Sequence, residues 1–209
     1  MAERPRIDLF CEDRGHEQFA RALVNRLSGD AGVRPVLRAL SSRGGHGRAL
    51  TEFELWQRQL LKQGKSGVPD LLILVIDANC SGWNQAHHGL DEAVDRSVIP
   101  RHVVGCPDPH VERWFIADPI GFKHVVGATP GKDLGKCDRL AYKRLVEEAV
   151  AATGLPLLTG TADLAPDLVA AMDLYKAGKN QPSLGKFVED LNSALLQVTA
   201  QKSPGDYGP

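Results

Sequence analysis

Leu71-Leu72-Ile73-Leu74-Val75-Ile76-Asp77-Ala78-Asn79-Cys80 is the stretch that decides the fold. Six consecutive apolar residues leave neither face of a strand polar, the pattern of a central strand in a parallel sheet covered on both sides. The run then stops on a carboxylate. A second stretch repeats the arrangement: Ile7-Asp8-Leu9-Phe10 leads into Cys11-Glu12-Asp13-Arg14-Gly15-His16-Glu17. In open α/β sheets, ligands bind beyond the carboxyl ends of the strands. Two carboxylates brought to that edge repel each other unless a cation lies between them, and oxygen ligands suit a hard ion. The expectation is a metal-dependent site, with Mg²⁺ as cofactor and Mn²⁺ as the alternative.

Working outward, residues 6–11 read as a buried strand. Phe19, Ala20, Leu23, Val24 and Leu27 recur at helical spacing over Glu17–Leu27, and Ser28-Gly29-Asp30 stops that helix. Val33–Leu40 is a poorer strand, placed near an edge because Pro35 removes a ladder donor. Ser41–Arg48 is a basic loop whose glycines let the backbone approach a ligand. Thr51 with Glu54 suggests a capping box for a helix over 52–63. A helix over 84–97, a strand over Arg101–Cys106 and a helix over His110–Ala117 follow. The loop Thr129–Lys136 precedes helices over 138–153, 164–175 and 184–198. The alternation predicts an α/β fold, a Rossmann-like and mainly parallel sheet flanked by helices. Its boundaries are an α/β domain over 1–150, a C-terminal helical extension over 151–200 and a disordered tail over 201–209.

The bulk numbers narrow the function classes. The 209 residues are 43% hydrophobic and 24% charged, an ordinary globular balance. The longest apolar run is Leu71–Ile76, far too short for a membrane span. Met-Ala-Glu-Arg-Pro-Arg leads into a strand with no signal-peptide core, so the expected location is cytoplasmic. Cys11, Cys80, Cys106 and Cys137 are widely spaced and read as reduced thiols there. A net charge of −1 is low for a stand-alone nucleic-acid binder.

The string Phe10-Cys11-Glu12-Asp13-Arg14-Gly15-His16-Glu17-Gln18-Phe19 resembles the first motif of topoisomerase–primase (TOPRIM) domains, a strand ending in Glu followed by a turn and an acidic helix start. Val75-Ile76-Asp77-Ala78-Asn79 resembles the second motif, where two carboxylates stand one residue apart; here the second is Asn79. Pro109-His110-Val111-Glu112-Arg113-Trp114-Phe115-Ile116-Ala117-Asp118 is similar to the Glu-x-Trp helix of a small TOPRIM-like family. That family is often encoded beside an ATPase in bacterial anti-phage modules, related to overcoming-lysogenization-defect nucleases. The resemblance spans about residues 6–145, judged by motif order. It implies a Mg²⁺-dependent nuclease subunit that cleaves DNA or RNA with an AAA/ABC-type ATPase partner, and it allows a homodimer. The departures are Asp13 where a glycine is usual, His16 where an acid is usual, and the amide of Asn79. His16 and Asn79 favour the alternative, a catalytically weak regulatory or interaction module of TOPRIM fold. A Rossmann-type nucleotide-binding enzyme is a third reading, opposed by the lack of GxGxxG after the first strand.

Phosphodiester cleavage needs a cation to offset phosphoryl charge and to acidify an attacking water. Asp77 is the leading ligand, with a helix cap or salt bridge as its alternative role. Glu12 is the general base or a second ligand; its alternative is an ion pair with Arg14 or another arginine. Asn79 is a ligand through its carbonyl oxygen, or a turn residue. Glu112, in the first turn of its helix, is a ligand or a partner of the helix dipole. Asp118, six residues on, points about 120° away and cannot share an ion with it from a straight helix. Arg43, Arg48 and Lys132 are candidates for substrate phosphate, and Lys136 for the catalytic set; solvated loop cations are the alternative. Trp114 reads as core ahead of a base-stacking platform. GxxxxGK[ST] is absent, so ATP hydrolysis by this chain is not expected. Neither CxxC nor HxxxH spacing supports a zinc site.

Overall fold

The apolar run beginning at Leu71 forms the third of four parallel strands: β1 (Arg6–Cys11), β2 (Val36–Ser41), β3 (Leu71–Val75) and β4 (His102–Gly105). The computed structural model describes residues 4–42, 46–132, 137–154 and 160–202. Strand order is β2-β1-β3-β4 and every pairing is parallel. The chain therefore winds from β1 outward to β2, returns, and continues from β3 to β4. The reversal lies between β1 and β3, and such a switch point opens a crevice at the carboxyl ends of the two strands.

Nine helices are present among the described residues: α1 (Arg14–Asp30), α2 (His46–Gln63), α3 (Trp83–Ala93), α4 (Val111–Phe115), α5 (Pro119–Val126), α6 (Arg139–Ala151), α7 (Ala165–Ala171), α8 (Leu174–Asn180) and α9 (Pro182–Lys202). Period-two alternation sorts the strand residues to the two faces. Leu72, Leu74, Ile76, Phe10 and Val104 pack with Phe53 and Leu60 of α2 and Leu90 of α3. Ile7, Leu9, Leu71, Ile73, Val75 and Val103 pack with α1 and with the helices from α4 onward. Residues 165–198 fill that same core: Phe187 of α9 stacks on Trp114 with ring centroids 5.4 Å apart. Trp114 is fully buried and donates its indole N–H to Ser183 Oγ at 2.9 Å, so it serves packing. Gly105 lets this happen, because a Cβ there would stand 3.1 Å from the Phe187 ring and 3.2 Å from that of Trp114.

Several boundaries differ from the sequence reading, each for a local reason. The edge placement of the Pro35 strand holds, although β2 begins at Val36, just past the proline. α2 starts at His46, so Thr51 sits inside it and its hydroxyl donates back to the Gly47 carbonyl at 3.2 Å; the capping box does not form. The helix expected over 164–175 is two helices. Asp118, which caps α5, also accepts the backbone N–H of Asp173 at 2.9 Å and breaks the run there. α3 ends at Ala93, short of the expected residue 97. The tail reading over 203–209 lies outside the described residues. No helix among the described residues is long and apolar enough to cross a membrane.

Candidate metal centre

Register brings the two acidic clusters together. Cys11 of β1 pairs with Val75 of β3, so the next residues of both strands leave the sheet side by side. The Glu12 N–H donates to the Val75 carbonyl at 3.0 Å, and the Asp77 N–H donates to Glu12 Oε2 at 3.1 Å. Arg14 does not take up Glu12; its guanidinium reaches Asp163 at 2.7 Å.

Asp13 is the N-cap of α1 and accepts the His16 backbone N–H at 3.2 Å. A residue three places into a helix faces back over its cap, and this turns His16 towards the sheet edge. Its Nδ1 bonds Asp13 Oδ1 at 2.7 Å and its Nε2 bonds Asp77 Oδ1 at 2.7 Å. His110, the N-cap residue of α4, places Nδ1 2.8 Å from Asp77 Oδ2. The result is a line of side chains, Asp13–His16–Asp77–His110, with Glu12 against the Asp77 backbone. Glu12, His16, Asp77 and His110 are all 3% exposed or less, so nothing in bulk water satisfies them.

Charge and burial compete in this cluster. Burial opposes a charge on His16, but the carboxylates of Asp77 and Asp13 outweigh it and hold the imidazole pKa well above its ordinary value. Burial likewise opposes a charge on Asp77, and His16 and His110 overcome it, so its pKa is lowered. Asp13 is also lowered, its burial offset by the bond to His16. Both ring nitrogens of His16 face carboxylate oxygens, at 2.7 Å each, an arrangement that favours the doubly donating imidazolium.

Glu12, His16 and Asp77 each offer a ligand atom within 4.8 Å of the others. A bound ion at about 2.1 Å from its ligands separates them by about 3 to 4 Å, so the set needs only a small contraction to close on one. The donor chemistry fits a divalent ion, with two carboxylates and one imidazole once His16 gives up its proton.

The remaining candidates divide. Glu112 is half-buried at the start of α4, and burial with the Asp77 charge raises its carboxyl pKa, which places it within electrostatic reach of the centre. Asn79 follows in the same loop in a left-handed conformation, φ 45°, as does Cys80 at φ 70°. Non-glycine residues there are held by their surroundings. The Ala78 and Asn79 N–H groups donate to the carbonyls of Pro107 and Pro109, at 2.8 and 3.4 Å, which lace this loop to the turn after β4. Arg48 is exposed on α2 and paired with Glu52 at 2.8 Å. Lys132 is exposed and lines a different hollow, with Pro119 and Asn180. Arg43 and Lys136 lie outside the described residues.

Cys80 and Cys137 are joined as a disulfide with Cα atoms 5.5 Å apart, which overturns the reading of four reduced thiols. A separation of 57 residues carries no spacing signal, and only the fold brings the two loops together. Cys11 and Cys106 are free and buried, and burial pushes the Cys106 thiol up to about 12.

No family model, curated protein or solved structure matches this chain.

Sequence reasoning missed the two histidines. The sequence reading takes His16 only as the loss of an acid and gives His110 no role at the site. The available signals were the Asp-x-x-His spacing of a cap with its third helical residue, and a His at the first position after a strand-to-helix turn.

Proposed function

We propose that this chain is the metal-dependent nuclease subunit of an ATPase–TOPRIM pair, cleaving phosphodiester bonds in DNA or RNA. The observation that carries the reading is the convergence of Glu12 and Asp77 at the β1/β3 switch point, with His16 between them. Glu12, His16 and Asp77 would hold the ion, which when bound supplies Lewis acidity to a phosphoryl oxygen and acidifies water. His16 in the set moves the expected preference from Mg²⁺ to Mn²⁺, since imidazole suits transition ions better than Mg²⁺. Asp13 orients His16, and His110 fixes the Asp77 carboxylate, as outer partners of metal ligands do. Glu112, kept protonated more readily by burial and by the Asp77 charge, would return a proton to the leaving oxygen.

The paired basic residue Arg48 and the net charge of −1 favour a partner that brings positive surface, because phosphate contacts dominate non-specific affinity. The test is cleavage of single-stranded and duplex DNA and of structured RNA by the purified chain, with and without its partner. Activity is expected only with Mn²⁺ or Mg²⁺ and to vanish in chelator. Cleavage that survives chelation would contradict the reading.

A second reading is supported by one observation, that the triad is almost wholly buried. A regulatory module of the same fold would keep the ion as a structural pin. It would bind Mn²⁺ and gain stability from it while cleaving nothing under any condition.

A further inference from the structure

Among the described residues, the buried centre borders a cavity. Asp77 and Ala78 form part of the wall of a cavity of about 300 Å³ between α2 and α3, lined also by Leu50, Phe53, Glu54 and Leu90. Ala86, Gly89 and Ala93, one face of α3, are small and leave that volume open. About 300 Å³ is the low end for a ligand pocket, the size of one flat group rather than a peptide or a lipid chain. Among the described residues no Lys, Arg or His lines it, so they offer no cation to a phosphate. Its walls are mainly apolar, with the Ser81 hydroxyl among them; among the described residues its charged groups are Asp77 at the inner end and Glu54 towards solvent, whose side chain is 62% exposed and 3.9 Å from Arg58.

We propose that this cavity takes the unpaired, amine-bearing base of the nucleotide whose phosphate sits at Asp77. The inference rests on the nuclease reading and adds a substrate class to it. A base has two apolar faces suited to the Leu50, Phe53 and Leu90 walls. Its edge lies at the mouth of the cavity beside Glu54, which accepts only. A carboxylate accepts from the cytosine N4 amine and meets the uracil O4 with repulsion. A base inside a duplex cannot enter such a cavity, so single strands, loops and flipped-out nucleotides are the substrates.

Gly89 supplies a variant that keeps the fold. A Cβ built there meets nothing within 4 Å, and a leucine replaces a helix-interior glycine with a better helix former. The experiment is calorimetric titration of the whole chain in Mn²⁺ with cytidine 5′-monophosphate, uridine 5′-monophosphate and inorganic phosphate. Cytidine monophosphate is expected to bind about tenfold tighter than uridine monophosphate. Gly89→Leu should reduce both nucleotides to the level of phosphate and leave phosphate and Mn²⁺ binding unchanged. Glu54→Gln should remove the cytidine–uridine difference. Equal binding of all three ligands, or nucleotide binding indifferent to Gly89→Leu, overturns the inference. Because the readout is binding, the two readings fail separately. Cleavage untouched by Gly89→Leu removes the base pocket alone, whereas cytidine binding without cleavage removes the nuclease alone.

Discussion

Asp77→Asn is expected to abolish Mn²⁺ binding at this centre and to lower cleavage by at least about 100-fold, with the fold retained. Loss of an outer partner of a metal ligand already costs about 10- to 100-fold, and Asp77 is itself a ligand in this account. The asparagine keeps the shape and can still bond His16 or His110 through its carbonyl oxygen. Asp77→Ala is a different experiment. It removes the shared partner of two buried imidazoles, His16 at 2.7 Å and His110 at 2.8 Å. Breaking a buried ion pair from one side costs about 3–5 kcal/mol. The lower end applies here because Asp13 still accepts from His16. Urea denaturation should therefore rank the variants, Asp77→Ala unfolding at the lowest denaturant and Asp77→Asn, which keeps one of the two hydrogen bonds but loses the charge, between it and the parent. A stable Asp77→Asn protein that cleaves at the parental rate would remove Asp77 from the mechanism.

The second large effect is a pH dependence in which metal affinity and metal-free stability move in opposite directions. His16 has a raised pKa, so its contribution to stability is complete below the unfolded value near 6.5 and is lost as pH rises through the folded value. Asp77 is lowered, so its contribution is complete above the unfolded value near 4 and is lost as pH falls through the folded one. Metal-free protein is then most stable from about pH 4 to 6.5 and weakens on the alkaline side. Metal binding needs the proton that His16 holds. Apparent Mn²⁺ affinity should rise by about tenfold per pH unit above pH 6.5, until His16 has titrated. His16→Gln should flatten that slope while weakening the site at high pH. Thermal melts and Mn²⁺ titrations across this range check both arms, and a pH-independent affinity would exclude His16 from the ligand set.

How far these residues could be read in advance follows from which interactions are local. The run Leu71–Ile76 and the shorter apolar stretch before Glu12 announce buried parallel strands, and a parallel sheet puts both strand ends on one edge. Glu12 and Asp77 are thus legible as neighbours from pattern and topology alone. The β2 edge position is legible because Pro35 acts on its own backbone. What stayed hidden depends on contacts across the chain. His16 earns its place only once Asp13 caps α1 and Asp77 lies opposite, 61 residues away. His110 depends on the turn after β4 meeting the loop after β3. Cys80 and Cys137 are brought together only by the packing of two loops, and the break between α7 and α8 depends on the distant Asp118. In each case the residue type was visible and its partner was not.

Crystals of the whole chain soaked in MnCl₂ and measured at the manganese absorption edge test the central claim most directly. The account predicts a single strong anomalous peak beyond the ends of β1 and β3, bonded to Glu12, His16 and Asp77, with the His16 Nε2–Asp77 Oδ1 hydrogen bond of 2.7 Å replaced by two bonds to the ion. An anomalous map with no peak there, the imidazole still bonded to Asp77 at saturating manganese, would contradict it.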